Sequence, residues 1–347
     1  MGLIAAGIVT LFLLLALPWL LDSMSSQFSE EARLSLHKLG FGFAPLAGMA
    51  FLAALFSALL LAEERHANTL CEAIFPVTLL VLVLLWPAQD VSVNPLLWGT
   101  VLGVFLQVAG LYLLLRNSKI FNKPLFSFDS PGWLRFKQDV GIVFLGQFVM
   151  SFGEPVSSLI AAELGPGNVA GLGYANRVLA LFLTLGATTI SRAILPVLSK
   201  SQGGEKHQIK LGIQWSAIMF LGGIACTIIA WAVTPQLVKI MLERGAFTAE
   251  NTTTVADAIR LGVLQFPFYF SGIVLAQLFM SLRSYKIILL SSCLALFMKV
   301  VFSLLLAPRF EFGGIILASV PMYAATNLLF VVILWNMNSQ RINEADS

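Results

Sequence analysis

Of 347 residues, 58% are hydrophobic and only 11% are charged, a balance that no ordinary water-soluble domain carries, so the lipid bilayer is the solvent this composition demands. The formal net charge of +3 reflects a bias among loops and points to no nucleic-acid surface. The polar gaps are too short to hold a soluble enzyme domain.

In chain order the apolar runs cover 3–21, 40–62, 69–86, 96–115, 140–163, 170–198, 211–233, 255–282, 287–307 and 314–335. A membrane helix needs about 20 mostly apolar residues, and these runs do not alternate at period two as barrel strands do. The predicted fold is therefore an all-α integral membrane protein of about ten transmembrane helices. The first run lacks a basic residue before Arg33 and is longer than the core of a signal peptide, so it reads as a spanning helix. Four helices would form an N-terminal lobe, 1–118, and a basic cytoplasmic linker, 119–138, would lead to a six-helix lobe, 139–336, and a cytoplasmic tail, 337–347. The even-numbered loops with the C-terminal tail carry twelve Lys and Arg, the odd-numbered loops five, which predicts that both termini are cytoplasmic.

Nothing announces catalysis. Cys71, Cys226 and Cys293 lie far apart inside apolar runs and read as small core residues. His37, His66 and His207 fall in three different loops, and no metal-ligand spacing, nucleophile elbow or phosphate loop accompanies them. No metal or cofactor is expected, and no enzymatic activity.

The chain also resembles itself. Pro18-Trp-Leu-Leu-Asp-Ser-Met24 faces Pro235-Gln-Leu-Val-Lys-Ile-Met241, and Phe28-Ser-Glu-Glu31 faces Phe247-Thr-Ala-Glu250, each before a helix containing a proline, Pro45 or Pro267. The pattern suggests a short interfacial helix, a turn, and a Ser or Thr that caps the next helix with an acid in its first turn. Helices one to four would then correspond to seven to ten, and a duplicated six-plus-six bundle lacking its first two helices would account for the count. Parallel repeats of this kind occur in transporters that bind substrate between halves.

Three strings carry a family resemblance: Leu164-Gly-Pro-Gly-Asn-Val-Ala-Gly-Leu-Gly-Tyr-Ala-Asn-Arg177, Ile194-Leu-Pro-Val-Leu-Ser-Lys200 and, most specifically, Leu242-Glu-Arg-Gly-Ala-Phe-Thr-Ala-Glu250. With them the C-terminal two thirds resembles the MurJ/MviN lipid II flippases of the multidrug/oligosaccharidyl-lipid/polysaccharide exporter superfamily, from the family's third helix through its twelfth. The resemblance implies an incomplete twelve-helix exporter fold, alternating access across the bacterial inner membrane, and a substrate linked to undecaprenyl pyrophosphate. Where the family usually reads Tyr-Ala-Asp-Arg this chain has Tyr174, Ala175, Asn176 and Arg177; an acid expected one turn later is Ala180, and an expected Asp-Arg pair falls on Ser157 and Ser158.

Charges inside the predicted spans are costly in hydrocarbon and should face protein or a wet cavity. The Lys and Arg among them are Arg177, Arg192, Arg260 and Lys299, with the acids Glu154 and Asp257 on the same helices or at similar depth; Arg192 sits near a cytoplasmic helix end and can snorkel. At about 1.5 Å per residue, Arg177, Arg260, Lys299 and Glu154 lie roughly 8 to 14 Å from the outer ends of their helices, all in one lobe. A positive pocket at that depth would suit a pyrophosphate. The candidate substrate-binding residues are thus Arg177, Lys299, Arg260, Glu154 and Asn176; the bland alternative is that Glu154 pairs with Arg177 and Arg260 with Asp257. The basic, aromatic stretch around Trp133, Arg135, Phe136 and Lys137 could touch anionic membrane lipids, although positive-inside topology already explains it. The Phe266–Phe270 aromatic run reads as a lipid-facing or packing kink. The expected function is a flippase for lipid II or a related polysaccharide unit, with cell-wall synthesis proteins as further partners. The competing readings are a non-transporting remnant or scaffold and a drug or ion antiporter of the same superfamily.

Overall fold

In hydrocarbon a backbone can satisfy its polar groups only within its own segment, and the described residues answer with helices. The computed structural model describes residues 6–8, 10–12, 14–16, 18, 30–62, 68–86, 94–116, 131–199, 204–243 and 247–345. Its helices are α1 (Glu30–Ala62), α2 (Asn68–Glu72), α3 (Ile74–Leu85), α4 (Asn94–Arg116), α5 (Pro131–Ser151), α6 (Gly153–Glu163), α7 (Asn168–Ser199), α8 (Gly204–Leu242), α9 (Ala249–Val263), α10 (Phe266–Ser281), α11 (Tyr285–Leu317) and α12 (Ser319–Ala345). Seven segments are long and apolar enough to cross a membrane, and α9 with α10 forms an eighth, bent by 43°. The remaining two of the ten expected runs correspond to shorter apolar helices, Ala6–Ala16 and Leu70–Leu85. Large apolar side chains stand outward along these helices, among them Leu221, Ile228, Phe297 and Trp335 at 66%, 66%, 62% and 75% exposure, a surface that only lipid tolerates.

The chain forms two compact units, Met1–Phe128 and Asp129–Ser347. Of the expected basic linker, 119–130 lie outside the described residues, while 131–138 already form the first two turns of α5. Within the first unit α3 packs closely on α4. Gly99 and Gly103 permit it: a Cβ on Gly103 would stand 2.9 Å from the Phe75 carbonyl oxygen, and one on Gly99 3.2 Å from Leu79 Cα. This is the small-xxx-small spacing by which membrane helices bring their backbones together. Leu60, Leu111 and Leu115 fill the adjoining core.

In the second unit the core is built around Phe266, Phe270, Leu275, Leu278 and Phe279 of α10, flanked by α7, α8, α9, α11 and α12. The aromatic run at 266–270 is thus packing rather than lipid-facing: Phe266 and Phe270 are buried, and Pro267 opens α10 just after the bend. Pro267 has no N–H, which leaves the Val263 carbonyl without its helical partner. Thr227 of α8 fills that role, donating its hydroxyl to the Val263 oxygen at 3.1 Å and to Gly223 O at 2.8 Å. Thr227→Val, nearly isosteric, strands this carbonyl in an apolar setting at a cost of about 1 to 3 kcal/mol. The expected result is a drop of about 5 °C in the thermal midpoint in detergent, read by far-UV circular dichroism.

Several expectations are corrected. No separate interfacial helix begins at Pro235; α8 runs unbroken through it to Leu242. The cap that the repeat anticipates does form, with Thr248 accepting from the Asn251 N–H at 3.3 Å and Glu250 in the first turn, whereas its proposed counterpart at 28–29 lies outside the described residues. Cys71 is buried, but Cys226 and Cys293 are exposed, small residues at a lipid-facing position and not in the core. His207 belongs to the first turn of α8 and His37 to α1, because both helices extend past their apolar cores into polar flanks; His66 lies outside the described residues. The break between 307 and 314 is real: Glu311, with φ 50° and ψ −138°, interrupts α11 after Pro308, and the chain then continues through Leu317 towards α12.

Candidate functional site

Two backbone breaks create the polar cavity of the second unit. Pro155 cannot donate to the Ser151 carbonyl, so the helix breaks at Phe152 and restarts at Gly153, setting Glu154 in the first turn of α6 where the helix dipole favours an acid. Pro321 occupies the first turn of α12, the position a proline tolerates, and the chain turns at Ala318 just before it. Between these breaks α6, α7, α11 and the start of α12 surround a cavity of about 250 Å³, whose polar lining is Glu154, Ser157, Asn176, Gln265, Lys299, Ser319 and Tyr323.

Lys299 holds its ammonium by donating to the Ile315 carbonyl at 2.6 Å and to Ser319 Oγ at 2.8 Å. An ammonium has three N–H groups, so one is left for whatever enters the cavity. Glu154 is the carboxylate that shares the cavity with Lys299. Its Oε1 accepts from Asn176 Nδ2 at 3.4 Å, a long bond that a ligand can displace. Ser157 turns its hydroxyl back to Gly153 O at 2.7 Å, and the buried Gln265 completes the floor. Among the described residues the cavity therefore presents one cation, one carboxylate and a set of neutral polar groups in surroundings of low dielectric, where each counts for more than in water.

Of the five sequence candidates the cavity gathers Glu154, Asn176 and Lys299. Arg177 does not line it; one residue further, about 100° round α7, its side chain is exposed. Among the described residues no ion pair reaches Arg177. Arg260 lies in a niche of its own, bonded to Asp257 at 3.1 Å and lying over the Trp231 ring at 5.7 Å. The pair is partly open to solvent, 32% and 70% exposed, so it is worth at most about 1 kcal/mol. Arg260→Gln is accordingly expected to shift the thermal midpoint by no more than about 3 °C, as followed by tryptophan fluorescence. The Arg192 side chain lies outside the described residues. Reading charges alone misses Gln265, Ser319 and Tyr323; uncharged polar residues inside apolar runs are the signal that would find them.

A polytopic helical bundle with a charged cavity inside one helical unit is the build of a membrane transporter. The solved chain described as "Lipid II flippase MurJ, inward closed conformation" superposes with a TM-score of 0.73 at 16% identity, over 95% of this chain and 70% of that one. The "Outward-facing conformation of a multidrug resistance MATE family transporter of the MOP superfamily" superposes with a TM-score of 0.78 at 16% identity, over 97% and 78%. The fold is therefore that of the MATE and MurJ transporters, covered in part. Residues 1–345 match the family described as "Lipid II flippase MurJ", and the chain belongs to that family of transporters, not enzymes. A "Probable lipid II flippase MurJ" of Buchnera aphidicola subsp. Baizongia pistaciae is 26% identical over 197 residues, 55% of this chain and 38% of its own length. One from Bdellovibrio bacteriovorus is 23% identical over 261 residues, 72% of this chain and 49% of its own. The matches thus span half or less of these curated relatives.

Proposed function

We propose that this chain moves an undecaprenyl-pyrophosphate-linked cell-wall precursor, lipid II or a related polysaccharide unit, across the bacterial inner membrane by alternating access. The match to the family over residues 1–345 is the observation that carries this reading. The cavity supplies its chemistry. Lys299, with two donors already spent on Ile315 O and Ser319, directs the third to a phosphate oxygen. A diphosphate arriving there brings its negative charge beside Glu154, a repulsion that a cation bound at the carboxylate would relieve. Binding of the anionic headgroup and loading of Glu154 would thereby be linked. The twelve-to-five loop bias supports a reading with both termini in the cytoplasm, membrane lipids around the bundle and cell-wall synthesis proteins as candidate partners.

A second reading, export of a cationic drug or ion, is favoured by Glu154 itself, a carboxylate inside a cavity of a fold shared with MATE transporters. Expression in bacteria depleted of their own lipid II flippase separates the two. Restored growth with the chain present in the membrane supports the flippase; no rescue together with Glu154-dependent resistance to cationic drugs supports the exporter.

A further inference from the structure

A second cavity lies at the end of the same unit, where the α6–α7 loop, Leu242 at the end of α8, Phe247, the first turns of α9 and the break at Glu311 meet. It measures about 530 Å³, within the range of small-molecule sites. Its residues on α7, Ala170, Gly171 and Tyr174, stand on the face opposite the one that carries Leu172, Asn176 and Leu183 into the Lys299 cavity, so the two are separate.

The lining has a consistent chemistry. Tyr174 and Phe247 meet edge to face at 5.2 Å, and Phe312 adds a third ring. Between them stand the Tyr174 hydroxyl, the Asn251 amide and the Glu311 carboxylate, none of which has a hydrogen-bond or ion-pair partner among the described residues. Thr254 gives its proton to Glu250 O at 3.1 Å and keeps its oxygen as an acceptor. Asn168, by contrast, is spent on Leu164 O and Gly165 O and holds the loop in place. The Glu311 charge repels phosphate.

Aromatic rings for C–H faces, an amide and phenol that both donate and accept, and a carboxylate that accepts from hydroxyls together match a neutral sugar. We propose that this cavity is a saccharide-binding site, distinct from the Lys299 cavity and independent of whether the chain transports. On the orientation proposed above it opens outside the cytoplasm. The sugar could arrive on a lipid carrier or as free glycan; both present the same hydroxyls and acetamido groups.

The test uses the full chain in lipid nanodiscs with N,N′-diacetylchitobiose as the free probe and the same disaccharide on a polyprenyl pyrophosphate as the second, each followed by saturation-transfer NMR at the sugar ring protons. At least one probe is expected to receive transfer, with affinity about tenfold weaker in Asn251→Ala and transfer abolished in Ala170→Trp, which fills the cavity from an exposed position. Leu221→Ala, on the lipid-facing surface of α8 and outside both cavities, is expected to leave transfer from the free disaccharide unchanged. Binding of the free disaccharide identifies a glycan site, and binding of the lipid-linked form alone a headgroup site; either supports the proposal. Absence of transfer from both probes, or unchanged affinity in Asn251→Ala and Ala170→Trp variants that retain the parental thermal midpoint, overturns it.

Discussion

Gly223→Leu is expected to lower the thermal midpoint by about 10 °C or more, a larger loss than that from Thr227→Val or Arg260→Gln. A Cβ on Gly223 of α8 would stand 2.5 Å from Pro267 Cα, 2.8 Å from Pro267 N and 2.9 Å from Phe266 O. All three are backbone atoms at the bend between α9 and α10, so none can swing aside as a side chain would. Even alanine must push α8 away from α10, and leucine must do so by several ångströms. Separation would also draw Thr227 from the Val263 carbonyl it supports, adding an unsatisfied polar group to the packing loss. Overpacking alone costs about 1 to 3 kcal/mol, and the coupled hydrogen bond brings the total above 3. Circular dichroism melts of the purified chain in one detergent give the answer directly, and a midpoint within 2 °C of the parent would contradict the close approach.

Lys299→Met is expected to reduce precursor translocation by about ten- to a hundredfold while leaving the protein folded. Methionine nearly matches lysine in length and suits a cavity wall that also contains Met150 and Met322. What is lost is the one cation among the described residues that line the cavity, together with charge-assisted hydrogen bonds worth about 1.5 to 3 kcal/mol each to an anionic ligand. Lys299→Arg should recover little, because the planar guanidinium cannot satisfy the Ile315 carbonyl and Ser319 and still point its fork into so small a space. Growth complementation and translocation of a fluorescent lipid-linked disaccharide in vesicles measure the two consequences. Arginine performing as well as lysine would mean that only charge matters and that the bond geometry does not.

The apolar helices are legible in the sequence because a run of about twenty apolar residues is a local property that packing cannot erase. The end of the 287–307 run is legible for the same reason: Pro308, Gly313 and Gly314 mark the break that Glu311 makes. Helix ends in water are not. The sequence closes the run at 211–233, yet α8 extends over Gly204–Leu242, since Lys206, Lys210 and Lys239 can lie along a helix once it leaves the hydrocarbon and Pro235 is accommodated within it. The three cysteines show the opposite failure, as apolar surroundings in sequence do not say which face of a helix meets lipid; two of them do.

The charges themselves announce a site, but their grouping depends on which way each helix turns. Asp257 and Arg260, three residues apart, could be paired on paper, and they are. The acceptors of Lys299 lie sixteen and twenty residues further along, on the far side of a kink, and no local pattern foretells that Ile315 O and Ser319 converge on one ammonium. Arg177 shares its helix and its depth with Asn176, yet a single residue's rotation takes it out of the cavity.

The most direct measurement places a photo-crosslinking amino acid at Ala180, an exposed position on the wall of the Lys299 cavity, and at Leu221 on the lipid-facing surface of α8. With lipid-linked disaccharide pyrophosphate in the membrane, position 180 should yield a precursor adduct that disappears in the Lys299→Met background, while position 221 yields none. Equal labelling at both positions, or labelling at 180 that persists without Lys299, would show that the headgroup does not enter this cavity.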